Sequence, residues 1–249
     1  MARILVTGST DGLGRATAEA LLDDGHEVIL HARNAKRREA VVDLLDRGAQ
    51  CVVGDFARLD EVNDVADQAL ALGPIDVVVH NCGVWEGADV LNVNVLAPYI
   101  LTARITPVRR LIYLSSGLHK QGVADLSRVD WSGARPMSYN DSKLFVTTLM
   151  AAVARRWSGV LSHAVDPGWM PTRMGGPNAT GDIRLGHVTQ AWLATTDDPE
   201  ALVSGRYLHY QQQREPHDAV HDVGFQEELV EVLSEVTEFV IAEIGRTKS

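Results

Sequence analysis

Tyr139 and Lys143, in the stretch SYNDSK from Ser138 to Lys143, stand four residues apart in a chain with only five tyrosines and four lysines. On a helix that spacing puts both side chains on one face. A free phenol, with a pKa of about 10, is a weak acid-base group at neutral pH. A neighbouring ammonium stabilises the phenolate, so the pair predicts a tyrosine drawn toward the working pH and used for proton transfer.

A second chemical signal lies at the start of the chain. The run VTGSTDGLG places Gly8, Gly12 and Gly14 around Ser9, Asp11 and Leu13, directly after an aliphatic run and before a helical pattern. A glycine turn opening a helix lets the backbone approach a pyrophosphate, whose charge suits the free N–H groups of the first helical turn. A glycine triplet alone is a weak signal for a dinucleotide site; its position at the first strand-to-helix junction makes the signal much stronger. The second strand then ends LHARNAKRR, with Arg33 and Asn34 where an enzyme for the unphosphorylated dinucleotide presents an acid. A guanidinium there suits a 2′-phosphate, which favours NADP(H) over NAD(H). Asp11 pulls the other way, and the basic run also reads as a solvated first helical turn.

These groups need a scaffold that brings the glycine loop and Tyr139 together, and the periodicity supplies one. Strand candidates begin at Arg3, Glu27, Ala49, Ile75, Arg110, Val160 and Gly205. Helical patterns fall between them, at Leu13 to Asp24, Ala35 to Arg47, Leu59 to Ala71, Ser138 to Trp157 and His187 to Thr195. Alternation of this kind predicts a single-domain Rossmann-type α/β fold over 1–249, a doubly wound parallel sheet of about seven strands with helices on both faces. The two long irregular segments, 117–137 and 168–185, read as functional loops. A final amphipathic helix is expected over about Asp222 to Glu243, with Phe225, Leu229, Val232, Leu233, Val236 and Val240 as its core stripe.

Composition narrows the classes. At 45% hydrophobic and 22% charged, the 249 residues read as globular. A net charge of −10 argues against a nucleic-acid partner. No apolar run is long enough for a membrane span, and the N-terminal MARILVTG enters a strand without a signal-like segment, so a cytoplasmic protein is expected. Cys51 and Cys82 fit no metal or redox spacing and read as reduced thiols.

Taken in order, TGSTDGLG, NCG, LNVNV, YLSS, YNDSK and DPGWMPT cover most of the chain, and as a set they resemble the short-chain dehydrogenase/reductase family. The resemblance implies that Tyr139 exchanges a proton with the substrate oxygen and that Lys143 lowers the tyrosine pKa and binds the nicotinamide ribose. Ser116 would polarise the carbonyl, with Ser115 as the alternative, and Asn94 would hold a water in the proton relay. It further implies that Asp55 and Phe56 flank the adenine, that Asn81, Cys82 and Gly83 line the cofactor cleft, and that Pro167, Gly168, Met170 and Thr172 hold the nicotinamide end.

The chain departs from the family pattern in places. Cys82 replaces the usual alanine, where it is expected to pack rather than react. The spacings from Asn81 to Asn94 and from Asn94 to Ser116 are short, which truncates a helix that often builds the family's dimer interface and points to a monomer or an atypical dimer. The spacing from Ser116 to Tyr139 is long, as in the retinol-dehydrogenase-like and protochlorophyllide-reductase-like branch. On that likeness Trp131, Met137, Trp169, Met170 and Met174 become candidates for an apolar substrate wall.

A metal site at His217 and His221 lacks a third ligand, and no metal is expected. A hydrolase built on Ser116 and His119 leaves the glycine loop and the Tyr–Lys pair unexplained. The resemblance thus implies an NADP(H)-dependent oxidoreductase that reduces a ketone or aldehyde on a bulky lipophilic molecule. An NAD-dependent alcohol dehydrogenase and a non-catalytic NADP(H) sensor are the competing readings.

Overall fold

The computed structural model describes residues 1–243, so residues 244–249 of the expected single domain lie outside the described residues. The aliphatic runs form β1 (Arg3–Val6), β2 (Glu27–Ala32), β3 (Gln50–Val53), β4 (Val77–His80), β5 (Arg110–Leu114), β6 (Leu161–Asp166) and β7 (Arg206–His209). A short β8 (Gln212–Arg214) completes one sheet in the order β3-β2-β1-β4-β5-β6-β7-β8. All neighbouring pairs are parallel except β7 with β8. The fold class is the expected Rossmann-like sheet, with eight strands rather than about seven. The extra strand carries only exposed Gln212, Gln213 and Arg214, so it has no apolar alternation to signal it. Its turn residues, Tyr210 and Gln211, both have positive φ, the geometry of a tight hairpin usually marked by Asn-Gly.

Successive strand residues face opposite cores, which is why the strands read as continuous apolar runs. Leu5, Ile29, Val78 and Leu111 join one core, while Ile4, Leu30, Val79 and Ile112 join the other. The first core is closed by α4 (Leu59–Ala71), α5 (Ala97–Arg104), α6 (Tyr139–Arg156) and α9 (Val223–Thr237). The second is closed by α1 (Gly12–Asp23), α3 (Val42–Asp46) and α8 (Val188–Thr195), with α2 (Ala35–Glu39) and α7 (Ile183–Gly186) as short connecting turns. The expected helix from Ala35 to Arg47 is therefore two helices. Its break at Val41 lets that side chain and Leu44 both reach the core at zero exposure.

The final helix ends earlier than expected, where Glu238 turns left-handed at φ 63°. Val240 is 70% exposed and Ile241 takes the core position instead. The segment beyond the turn folds back over α5 and α6. The Tyr99 hydroxyl donates to the Phe239 carbonyl at 2.8 Å, and the Trp157 indole donates to the Ala242 carbonyl at 2.6 Å. No helix among the described residues is long and apolar enough to cross a membrane.

Three histidines inside the fold are held neutral by burial, which depresses His31 and His163 to about 4 and His80 to about 3. The unfolded chain takes up their protons near pH 6.5, before the folded chain does. Stability is therefore expected to be full above pH 6.5 and to fall progressively as the pH drops toward 4, by on the order of 3 kcal/mol per histidine. Urea denaturation from pH 7 to 4 measures it; a flat midpoint over that range would contradict the assignment.

Candidate active site

The parallel strands end on one edge of the sheet, and the strand order reverses between β1 and β4, which opens a crevice there. That crevice is a cavity of about 1000 Å³. The first wall is the glycine loop. Gly8 has a φ of 63°, a region costly for other residues, and a Cβ on it would lie 3.0 Å from the Cys82 Cα. A Cβ on Gly14 would sit 2.3 Å from the Asn81 amide nitrogen and 2.4 Å from the Gly8 carbonyl oxygen. In the space so left, Asn81 Nδ2 donates to the carbonyls of Thr7 at 2.9 Å and Gly8 at 3.2 Å.

Beneath the loop lies His31, a residue that sequence reasoning missed. Its Nδ1 accepts the Gly8 N–H at 3.0 Å, its Nε2 donates to the Gly54 carbonyl at 2.8 Å, and its ring stacks on Phe56 at 4.1 Å. The His31 N–H in turn donates to Ser9 Oγ. Ser9 and Phe56 are thus turned inward, at 0% and 3% exposure, and the Phe56 ring cannot flank an adenine. A histidine inside the otherwise apolar EVILHA was the available signal.

The charged rim also differs from the expectation. Arg33 is well exposed, 3.9 Å from Asp55, and neither lines the cleft. Asn34 spends its side chain capping α2, accepting from the Arg37 N–H, while Asp55 accepts from the Ala57 N–H. Of the basic residues after β2, Arg37 is the one lining the cleft, donating to Thr10 Oγ1 at 3.2 Å and to Asp11 at 3.3 Å. Arg173, from the loop after β6, reaches the same Asp11 oxygen at 3.3 Å. Burial pushes the Asp11 carboxyl up, but the Gly12 N–H and the two arginines outweigh it and hold it below the usual range.

The second wall carries the acid-base candidates. Ser138 caps α6, so Tyr139 and Lys143 emerge from its first turns toward the cavity. Lys143 is buried, donates to the Leu114 carbonyl at 2.6 Å, and lies 5.5 Å over the Tyr139 ring. Ser116 lines the cavity with Tyr139. Ser115, the alternative, also borders the cavity, but it is buried and its hydroxyl is hydrogen-bonded to Thr147 Oγ1 at 2.6 Å. The sequence argument for a lowered phenol is corrected here. Burial pushes Tyr139 up to about 12, with the Ser116 hydroxyl opposing and Asp166 adding to the rise. Burial also lowers Lys143 to about 8, with Asp166 and Cys82 opposing. The expectation counted the ammonium charge and omitted desolvation, the larger effect. Cys82 itself is pushed up to about 12 by burial, which keeps it a packed thiol.

Asn94 stands in a π-helical turn, Asn92–Leu96, a distortion common at functional sites. Its carboxamide does not line the cleft. It accepts the Val84 N–H and donates to the Val84 carbonyl, both at 2.9 Å, and donates to Ser142 Oγ at 3.0 Å. Pro167, Gly168, Met170 and Thr172 line the cavity with Gly83 and Leu13, and Asp166 joins them on that wall. Of the expected apolar wall, Trp169, Met170 and Met174 are in place, whereas Trp131 packs near Phe145 and Met137 against the core. Trp85 lines the cavity unannounced by any motif. Among the described residues, no cluster of three His, Cys, Asp or Glu side chains could hold a metal.

A glycine-loop crevice beside a Ser, Tyr and Lys constellation defines a class, and the comparisons agree with it. The short chain dehydrogenase family model matches residues 2–182, and the chain belongs to that family of oxidoreductases. An uncharacterized oxidoreductase of Emericella nidulans is 36% identical over 252 residues, covering 95% of this chain and 97% of that protein. A Streptomyces protein named as a candidate daunorubicin C-13 ketoreductase is 32% identical and covers 82% of each chain. A blue fluorescent protein from a metagenomic library, solved with NADPH, shares the fold at a TM-score of 0.68, with 23% identity over 84% of this chain and 95% of that one.

Gly14 tests the loop directly. A Gly14→Ala substitution is expected to displace Asn81 and weaken dinucleotide binding at least about tenfold, with a stability loss on the order of 1–3 kcal/mol for overpacking. Cofactor titration alongside urea denaturation measures both; wild-type affinity would show that the contact is not tight.

Proposed function

We propose that this chain, acting as one catalytic domain, is an NADP(H)-dependent carbonyl reductase that uses Tyr139 as proton donor. The observation that carries this reading is the convergence of Ser116, Tyr139 and Lys143 on the crevice that also holds the glycine loop. Gly8, Gly12, Leu13 and Gly14 would hold the pyrophosphate, Lys143 the nicotinamide ribose, and Pro167, Gly168, Met170 and Thr172 the carboxamide end. The bound nicotinamide supplies the hydride.

The protein's part is to hold the carbonyl oxygen and to deliver a proton to it. Ser116 Oγ–H donates to that oxygen and fixes it beside the Tyr139 hydroxyl. With a pKa of about 12, Tyr139 is fully protonated at neutral pH, which suits an acid that donates during reduction. The Lys143 ammonium, charged below about pH 8, stabilises the phenolate left behind. Asn94 acts through its neighbours, fixing Val84 and the start of α6.

Two further features support the finer reading. Arg37 faces the crevice from the start of α2, where a 2′-phosphate would lie, and takes the role first expected of Arg33. The outer face of α6 is packed by α9 and the following segment, so the surface available for a family-type dimer is covered by the chain itself, in support of a monomer.

Tyr139→Phe is expected to lower kcat by at least about 10²-fold, the scale of a lost general acid, while NADPH binds as before. Loss of nicotinamide absorbance with a panel of bulky ketones and aldehydes measures turnover, and retained activity would refute the mechanism. Tight NADPH binding without turnover of any carbonyl would point instead to a binding protein. Arg37→Ala is expected to weaken NADPH about 10- to 100-fold, the value of a charge-assisted hydrogen bond, and to leave NADH nearly unchanged. Arg33→Ala should do less; equal loss for both cofactors would remove the 2′-phosphate assignment.

A further inference from the structure

Trp85 is a large apolar side chain that proton transfer does not require. It is 48% exposed, yet its ring centroid lies 4.5 Å from that of Tyr139 at an interplanar angle of 41°. The segment carrying it is anchored. The preceding residue, Val84, is held at both its N–H and its carbonyl by the Asn94 carboxamide, and Asn94 is buried and tied to Ser142 of the Tyr139 helix. The indole is therefore presented beside the proton donor by the same buried residue that braces that helix.

A second indole stands on the loop after β6. Trp169 is 57% exposed and lines the same cavity, and its Nε1–H donates to the Gly175 carbonyl at 3.0 Å. That bond fixes the edge of the ring and leaves its apolar face as the contact surface. Lys143, Asp166 and Arg173 are the charged groups of this cavity nearest the two indoles' segments. Lys143 donates to the Leu114 carbonyl, and Asp166 accepts from the Gly168 N–H and the Tyr207 hydroxyl. The two indoles offer flat, polarisable surface, which suits a planar ring better than a puckered one.

We propose that Trp85 and Trp169 form a stacking clamp that selects ketones bearing a flat aromatic ring system, with Trp85 setting the position of that ring relative to the Tyr139 hydroxyl. This specificity rests on the carbonyl-reductase reading of the same site. A saturated ring of similar size buries comparable area but lacks the stacking contribution, which corresponds to about 2- to 12-fold in binding per aromatic pair.

The test uses two ketones of matched carbonyl chemistry, 1-(2-naphthyl)propan-2-one and its decahydronaphthyl analogue. In both, a methylene separates ring from carbonyl, so aromatic conjugation does not alter intrinsic reactivity. With the full chain and NADPH, kcat/KM for the naphthyl ketone is expected to exceed that for the analogue by about fivefold or more, within the range for one or two aromatic contacts. Trp85→Leu should bring the ratio close to one, and Trp85→Phe should retain most of it. A wild-type ratio near one, or a ratio unchanged in Trp85→Leu, overturns the clamp while leaving the reductase reading intact. Should Trp85→Leu fail to fold, the wild-type ratio and Trp85→Phe still decide.

If neither ketone is turned over, the wider panel of ketones and aldehydes decides the reductase reading, and calorimetric binding of the two ketones decides the clamp. Tighter binding of the naphthyl compound that depends on Trp85 sustains it. Equal binding, or none, overturns it.

Discussion

The site depends on one contact at the seam between β1 and β4. Asn81 reaches across that seam and holds the carbonyls of Thr7 and Gly8, and it fits only because Gly14 has no side chain. The same seam fixes where the glycine loop lifts away from the sheet, so the first turn of α1 points into the crevice rather than over it. His31 supports the loop from below with a neutral ring whose two nitrogens have opposite duties. An ionised His31 would have no acceptor for the Gly8 N–H. The burial that depresses His31 is thus part of how the loop is held.

Burial also sets the character of the acid-base pair. Tyr139 and Lys143 lie in one low-dielectric pocket, and desolvation pushes both toward their neutral forms. Asp166 intensifies this for the phenol and opposes it for the lysine, because a carboxylate repels a phenolate and attracts an ammonium. The resulting resting state is a protonated phenol beside a titratable amine.

The scaffold was legible because its signals are periodic and local. Aliphatic strands alternating with amphipathic helices leave few alternatives, and the i, i+4 spacing of Tyr139 and Lys143 survives translation into a helix unchanged. Three-dimensional partnership was harder to read. Arg33 and Arg37 are interchangeable in composition, and only the turn capped by Asn34 decides which one faces the crevice. Ser9, Phe56 and Asn94 stood at the right positions for cofactor or substrate contact, yet their side chains brace the architecture that makes those contacts. A motif marks where the backbone must go, whereas the direction of each side chain follows from packing that no short pattern encodes.

The same distinction explains why the reaction type and the substrate differ in how far they can be read. Ser116, Tyr139 and Lys143 sit on strand ends and a capped helix, elements whose geometry is fixed by the sheet and by two cores. Trp85, Trp169 and Met174 sit on connecting segments, where length and composition leave shape open. Those segments are nevertheless tied to the catalytic frame, Trp85 through the Asn94 grip on Val84 and the loop of Trp169 through the Arg173 pair with Asp11. The exposed pair contributes little stability, but the buried Asn94 contacts hold the Trp85 segment at a set place beside Tyr139. The segments that shape the wall are thereby fixed to the same frame that holds Ser116, Tyr139 and Lys143.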